Sequence, residues 1–495
     1  MAQETVSATE VLLASFFDKS LLRRDSSGRY DFHEVLRQFA GEKLATNSEQ
    51  ASLAHTCHAL NFVAFLNVRL NPLKSTGQLQ ALVEIDHEWE NIRQAWGWLV
   101  AELHGAAIAE CAEAIFHFCT IRSRYREGID LFTQAAEKLE GFPQVLAKIL
   151  TFQGALAFRL QANDLCEGAL NRALNIFTTQ NLPNDQALCL VYASGLAFRR
   201  KNPILARQRC EQSLTLFEQT GDAWGRSYAL YQLGLLESRA GRILESQQAF
   251  LTSLQIARDI DDQRRQIGPL NLLGDLSCQL GNYAEAQSYF EESLTLSRML
   301  DDRFNTGQAL INLGTTFHSA ENYDQAKRCY DESLVILQEI RDLGNQSLVM
   351  ANLGELALAK HQFAESISYS KQGLALATQA DDEWAVLICW INLSDAALGQ
   401  KDQEMAQKYL AEALPLAAQS AEPALMLRTL LHLGRYYLLR GQSEKAIPLL
   451  GLVIHHEATY DEHRQVAREV LFSAGLPIPS ESNTSLEAVI LTELV

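Results

Sequence analysis

The 495-residue chain is poor in the residues that break helices, with 27 glycines and 10 prolines over its whole length. That excludes collagen-like and Pro/Gly-rich disordered chains and favours helices. No apolar run approaches the ~18 residues that a membrane helix needs, and the opening "MAQETVSATE" lacks the basic and apolar stretches of a secretory leader. The nine cysteines are scattered, odd in number and free of CxxC pairs, so a disulfide frame or a zinc site is not expected; they read as small buried residues of a reducing compartment. No Gly-Lys pair occurs, hence no phosphate-binding loop of the GxxxxGK[ST] type. HExxH is absent too, because position 37 after His33-Glu34 is Arg37, and no GxSxG nucleophile elbow occurs. Basic surplus is likewise missing. The net charge of −18 opposes binding to a phosphate backbone. These absences point to a non-enzymatic cytoplasmic protein without cofactor or metal, direct nucleic-acid binding or membrane insertion.

What is present is repetition. Leu233-Gly234, Leu273-Gly274, Leu313-Gly314, Leu353-Gly354 and Leu433-Gly434 recur in a register of 40, with Ser394 after Leu393 in the remaining slot. A second ladder, Leu174, Leu214, Leu254, Leu294, Leu334, Leu374 and Leu414, keeps the same period. Two ladders in phase over this length define an internal repeat. Each unit reads as two amphipathic helices. The first carries the Gly slot, where a small residue permits close helix approach. The second opens on an aromatic and a small residue, as in Tyr283/Ala286 and Tyr323/Ala326. Units join through acidic pairs such as Asp261-Asp262, Asp301-Asp302 and Asp381-Asp382, which suit helix N-capping better than metal binding. The six tryptophans read as packing residues.

A 40-residue helical hairpin of this pattern resembles the tetratricopeptide repeat (TPR) in its long form. The resemblance implies an all-α solenoid, a superhelix of about nine hairpins over residues 105–475, with a helical linker at 49–104 and a C-terminal tail at 476–495. It also implies a concave groove lined by the first helix of each pair. There the position two before the Gly slot often holds an Asn that clamps a peptide backbone. Here that position carries Gln232, Leu272 (with Asn271 beside it), Asn312, Asn352, Asn392 and His432. The position after the slot carries Leu235, Asp275, Thr315, Glu355, Asp395 and Arg435. The candidate groove residues are therefore Gln232, Asn271, Asp275, Asn312, Thr315, Asn352, Glu355, Asn392, Asp395, His432 and Arg435. An amide offers donor and acceptor to an extended backbone. The same amides could equally bond neighbouring helices or water.

Residues 1–48 differ from the repeats. "DKSLLRRDSSGRYDFHEVLRQFA" reads as a β-hairpin with DSSG as its turn, then a helix. This resembles the end of the winged-helix subdomain of signal-transduction ATPases with numerous domains (STAND), as do Glu90-Asn91-Ile92-Arg93 before Trp96 and Trp98 and the atypical hairpin around Arg126-Glu127-Gly128. In that family a Met-His-Asp-like triplet opens the helix, and its His contacts the β-phosphate of ADP. The resemblance implies that role for His33, with Glu34 in place of Asp. It implies a sensor arm that receives a protein, a peptide or a small-molecule inducer and controls a nucleotide-binding domain in cis or in trans, within a signalling or transcriptional regulator. The chain reads as the C-terminal portion of such a protein. The alternative is a free-standing TPR adaptor, and a DNA-binding winged helix is disfavoured by the acidic charge.

Overall fold

The computed structural model describes residues 15–19, 21–24, 30–32, 34–420, 423–456, 458–459, 461–479, 485–486 and 489–490. The chain forms two compact units, residues 1–269 and 270–495. The division falls at Pro269, which lies inside the helix Gln263–Gln279 and has no N–H to offer its ladder.

The first unit begins with the expected strand pair. Leu22–Arg24 runs antiparallel to Tyr30–Phe32, with Leu22 opposite Phe32 and Arg24 opposite Tyr30. The helix Glu34–Ala45 follows; His33 and the DSSG turn lie outside the described residues. Asn47 caps the next helix, Ser48–Leu70, by accepting from the Gln50 amide at 3.1 Å. One 3-10 turn, Pro72–Lys74, leads to Gln78–Ala101. Helical hairpins then succeed one another from Gly105–Ile121 and Tyr125–Lys138 onward, around a core that includes Trp96, Phe118, Phe132, Phe152 and Phe177.

The second unit continues the same grammar. Arg303–Ser319 pairs with Tyr323–Glu339, and Leu343–Ala359 with Phe363–Ala380; Asp461–Ser473 follows the last pair. The all-α stack of TPR-type hairpins expected from the ladders is thus the fold of both units.

The working period is half the sequence repeat. From Gln161 to Lys401 one residue in every twenty has positive φ, and it sits in the turn that ends each helix. Gly221, Gly241 and Gly281 take that conformation without a Cβ penalty. Glu321, Arg341, His361 and Lys401 take it at a cost of ~1 kcal/mol or more each. One residue after Gly221, Asp301, Arg341, Asp381 and Lys401 an Asp caps the next helix. Asp222, Asp302, Asp342, Asp382 and Asp402 each accept from the backbone N–H three residues on, at 2.9–3.1 Å. The acidic pairs therefore divide their labour: the first residue turns the chain and the second caps.

Two ladders of small residues let the helices of a pair close. Cys166, Ala206, Ser246, Ala286, Ala326, Ser366, Ala406 and Ala446 recur every 40 residues and are all fully buried. Seven residues further on, Ser213, Ser253 and Ser333 bond the carbonyls of Ala187, Ser227 and Gly307 at 2.8–2.9 Å, which satisfies a buried hydroxyl across helices. The cysteines fall in with this packing: all nine are thiols, and six of them are buried.

Candidate functional site

The Gly slot faces the residue sixteen positions later. An added Cβ would come within 2.5 Å of Phe250 at Gly234, 2.5 Å of Phe290 at Gly274 and 2.4 Å of Tyr330 at Gly314. The slot therefore admits a ring of the paired helix, which refines the expectation of two backbones meeting there. It also sets the rotation of each first helix, and so which side chains stand on the opposite face.

In the second unit that face carries two kinds of polar residue. Asn312 and Asn352 are half-buried, and their amides make no hydrogen bond within the described residues. Thr315 is exposed and bonds the Ile311 carbonyl at 3.1 Å and the Tyr330 hydroxyl at 3.3 Å. Asn271 and Asp275 stand one turn apart on Gln263–Gln279. Asn271 Oδ1 is buried without a hydrogen-bond donor, and burial pushes the Asp275 carboxyl up to about 7.

Further along, the polar residues are bound to one another. Asn392 is fully buried; its Nδ2 donates to the Ala351 carbonyl at 3.0 Å and its Oδ1 accepts from Arg428 Nη2 at 2.8 Å. Arg428 also pairs with Glu355 at 2.7 Å. Arg435 pairs with Asp395 and lies 3.2 Å from His432 Nδ1. Burial works to raise the Asp395 carboxyl, but the surrounding cationic groups, Arg435 and Arg428 among them, outweigh it and hold it below the usual range. Burial drives the His432 imidazole down to about 3, so it is neutral at neutral pH. Of the sequence candidates, the structure thus joins Glu355 with Asn392, and Asp395 with His432 and Arg435. It leaves Asn312 and Asn352 open, places Asn392 in helix–helix contact, and sets Gln232, half-buried, in the first unit. Arg428 escaped the sequence reading: its register position holds Ile388, Leu348 and Gln308 in the preceding repeats, and the one clue was a charge where they carry none.

The first unit holds a second polar concentration that sequence reasoning missed. A cavity of about 150 Å³ is lined by Lys74, Glu113, Lys148, Asp185 and Trp224, among others. Glu113 pairs with Lys74 at 2.8 Å and Lys148 at 3.6 Å. Burial works against its charge, yet His117 and the two lysines hold its carboxyl well below the usual range. Trp224, read from sequence as a packing residue, lies under two cations: Lys74 Nζ at 4.4 Å and Arg265 Cζ at 3.9 Å from the ring centroid. Trp89 and Trp96 are core residues, and Trp384 is exposed. No helix among the described residues is long and apolar enough to cross a membrane.

The tetratricopeptide repeat family profile matches residues 266–339. No curated protein sequence matches the chain. Among solved structures, a STAND protein with a tetratricopeptide repeat sensor from Pyrococcus horikoshii is similar at a TM-score of 0.59 and 16% identity. The match covers 83% of this chain and 59% of that one, so the chain spans about three fifths of that structure's length. A Rap protein complexed with Competence and Sporulation Factor aligns at a TM-score of 0.51 and 14% identity, over 74% of this chain and 99% of that one. The quorum sensor NprR from B. thuringiensis aligns at 0.51 and 16%, over 72% and 96%. At these identities the likeness is one of fold: an all-α stack of tetratricopeptide-type hairpins.

Proposed function

We propose that the chain is a TPR interaction arm that binds an extended peptide or a peptide segment of a partner protein, and that it has no catalytic activity of its own. The observation that carries this reading is the pair Asn312 and Asn352. They hold the same register on consecutive first helices, are half-exposed, and have amides that no group among the described residues engages. Two amides one repeat apart can each hold a peptide group of an extended chain, giving it a donor and an acceptor. Thr315 adds an exposed hydroxyl, and Asn271 an unsatisfied acceptor. The Rap protein complexed with Competence and Sporulation Factor and the tetratricopeptide repeat sensor of the STAND protein support the same direction.

The finer reading is that the arm reports to a nucleotide switch. Its basis is the strand pair at Leu22–Arg24 and Tyr30–Phe32, the helix Glu34–Ala45 and the His33-Glu34 pair between them, which resemble the close of a STAND winged helix. A ligand shifts such a switch only by binding its two states unequally. On this reading His33 senses nucleotide held by a domain in cis or in trans, and the arm serves a signalling or transcriptional regulator. The adaptor reading needs no such domain.

Selection of a random peptide library on the full chain, followed by calorimetry of the enriched peptide, tests the interaction reading. Asn312→Ala with Asn352→Ala weakens that peptide about tenfold or more while helicity is unchanged. An affinity unaltered by the double substitution rejects the pair as the clamp.

A further inference from the structure

Four successive first helices of the stack, Gly105–Ile121, Pro143–Arg159, Pro183–Arg199 and Ala223–Arg239, contribute walls to the cavity of about 150 Å³ in the first unit. Five charged side chains line it: Lys74, Lys148, Glu113, Asp185 and Asp222. Three of them are engaged. Lys74 Nζ donates to Glu113 Oε1 at 2.8 Å and lies 4.4 Å from the Trp224 ring centroid. Asp222 Oδ1 accepts from the Gly225 N–H at 2.9 Å as a helix cap. The other two are not. Lys148 Nζ has the Ala109 carbonyl at 3.4 Å and Glu113 Oε2 at 3.6 Å, both long for an ammonium donor. Asp185 makes no hydrogen bond and no ion pair among the described residues. Burial pushes its carboxyl up, against the pull of Lys148 and with the help of Glu113. Lys148 and Asp185 are both partly exposed, so solvent reaches them.

Lys148 and Asp185 thus line one cavity with opposite charges and do not pair with each other. The rest of the wall decides what can serve both. With Asp185 ionised, two lysines stand against three carboxylates. The groups behind the wall add no net charge. His117 lies 3.6 Å from Glu113, and burial lowers its imidazole pKa, so it is neutral at neutral pH. Arg265 lies 3.9 Å from the Trp224 centroid and is offset by Asp262 at 3.8 Å. Arg199 and Arg264 do not line the cavity. A lone anion therefore meets a wall of net negative charge, in a chain whose own net charge is −18. A lone cation satisfies Asp185 and leaves Lys148 as it was. A molecule that carries both charges serves each group and leaves the sum unchanged. Size narrows the class further. A cavity of this volume holds a body of roughly six to eight heavy atoms, about that of benzene, which excludes nucleotides and peptide segments.

We propose that this cavity binds a free amino acid with a small apolar side chain, its ammonium on Asp185 and its carboxylate on Lys148. Both contacts are charge-assisted hydrogen bonds, the stronger kind. Phe152, Leu188 and Trp224 line the same cavity and supply apolar surface for the side chain. Lys74 and Glu113 stay paired and hold the polar wall in place. The site lies wholly in the first unit and stands independently of the peptide reading built on Asn312 and Asn352.

Valine, isobutylamine and isovalerate share one branched body, and the last two each lack one of the charges of valine. Calorimetry and saturation-transfer NMR on the full chain compare them. Valine binds saturably, and isobutylamine and isovalerate each bind about tenfold more weakly or worse. Tryptophan, too large for the cavity, binds at least about tenfold more weakly than valine. Asp185→Asn weakens valine about tenfold and leaves isovalerate as it was, whereas Lys148→Gln weakens valine and leaves isobutylamine as it was. That crossed pattern, with thermal midpoints near the parent's, is one that a structural role for either residue does not produce. The ligand series on the parent chain decides the matter even where a variant folds poorly. Asn312→Ala with Asn352→Ala leaves valine binding unchanged. Isobutylamine, isovalerate or tryptophan binding as tightly as valine, undiminished valine affinity in either cavity variant, or no saturable binding of glycine, alanine or valine at millimolar concentration overturns the assignment.

Discussion

Gly314 lies against the ring of Tyr330, so closely that an added Cβ would come within 2.4 Å of the ring edge. The Tyr330 side chain is itself fully buried, and its hydroxyl sits 3.3 Å from Thr315 Oγ1. The ring has no free direction in which to move. Gly314→Ala is therefore an overpacking substitution, expected to cost about 1–3 kcal/mol. Urea unfolding followed by circular dichroism should show a lower midpoint for this variant. Tyr330→Leu in the Gly314→Ala background should recover part of the loss, because Gly434 and Gly154 already face leucines, Leu450 and Leu170, at the same spacing. A double variant no more stable than Gly314→Ala alone would place the strain elsewhere.

The turns offer the opposite experiment. Glu321 holds φ at 58° and Lys401 at 59°, where Gly241, Gly281 and Gly441 stand in equivalent turns. Relief of the left-handed penalty outweighs the entropy that a glycine adds to the unfolded chain. Glu321→Gly and Lys401→Gly should each raise stability by about 0.5–1 kcal/mol, read as a higher thermal midpoint. Glu321→Ala, which keeps the Cβ, should bring no such gain.

Asn352 and Asn392 are indistinguishable in the repeat pattern, yet the fold spends one and spares the other. Loss of the Asn392 amide would remove its hydrogen bonds to the Ala351 carbonyl and to the Arg428 guanidinium, which keeps its pair with Glu355, at a buried helix interface. Asn392→Ala should cost about 1–3 kcal/mol. Asn352→Ala should fall within about 0.5 kcal/mol of the parent, since no group among the described residues bonds its amide. Parallel urea titrations of the two variants check the contrast, and equal costs would contradict it.

These residues show where sequence reading works and where it stops. The forty-residue ladders, the helical hairpins and the capping aspartates were legible because each follows from local chemistry repeated in register. Asp302 caps by bonding a backbone N–H only three residues away. The fate of Asn392 was not legible, because Arg428 reaches it from 36 residues on and from a register position that carries no charge in the preceding repeats. Likewise Arg159, Arg199 and Arg239 share one register. Only the three-dimensional neighbours show that Arg199 bonds the Phe158 carbonyl while Arg239 lies over the Phe198 ring. The cavity under Trp224 draws Lys74, Glu113 and Lys148 from separate helical segments, and no local spacing brings them together.

Two groups of the second unit give stability opposite slopes with pH in the same window. Asp275 has its folded pKa raised by burial from 3.8 to about 7. Between those values the folded state holds a proton that the unfolded state has released. Stability contributed by Asp275 therefore falls as pH rises from about 4 to about 7 and is flat above. His432 has its folded pKa depressed by burial from 6.5 to about 3. There the unfolded state holds the extra proton, so its contribution is complete above about 6.5 and is lost as pH falls toward 3. In the parent these slopes partly cancel, and single variants uncover them. Asp275→Asn should gain stability over the parent at pH 8 while differing least near pH 4, so its thermal midpoint climbs more steeply with pH. His432→Gln should show its largest deficit at pH 8 and converge on the parent in acid, which flattens its profile. Calorimetric midpoints from pH 4 to pH 8 separate the two effects. Parallel profiles for Asp275→Asn and the parent would show that the carboxyl is ionised in the fold at neutral pH, and would remove burial as the dominant influence on that face of the helix.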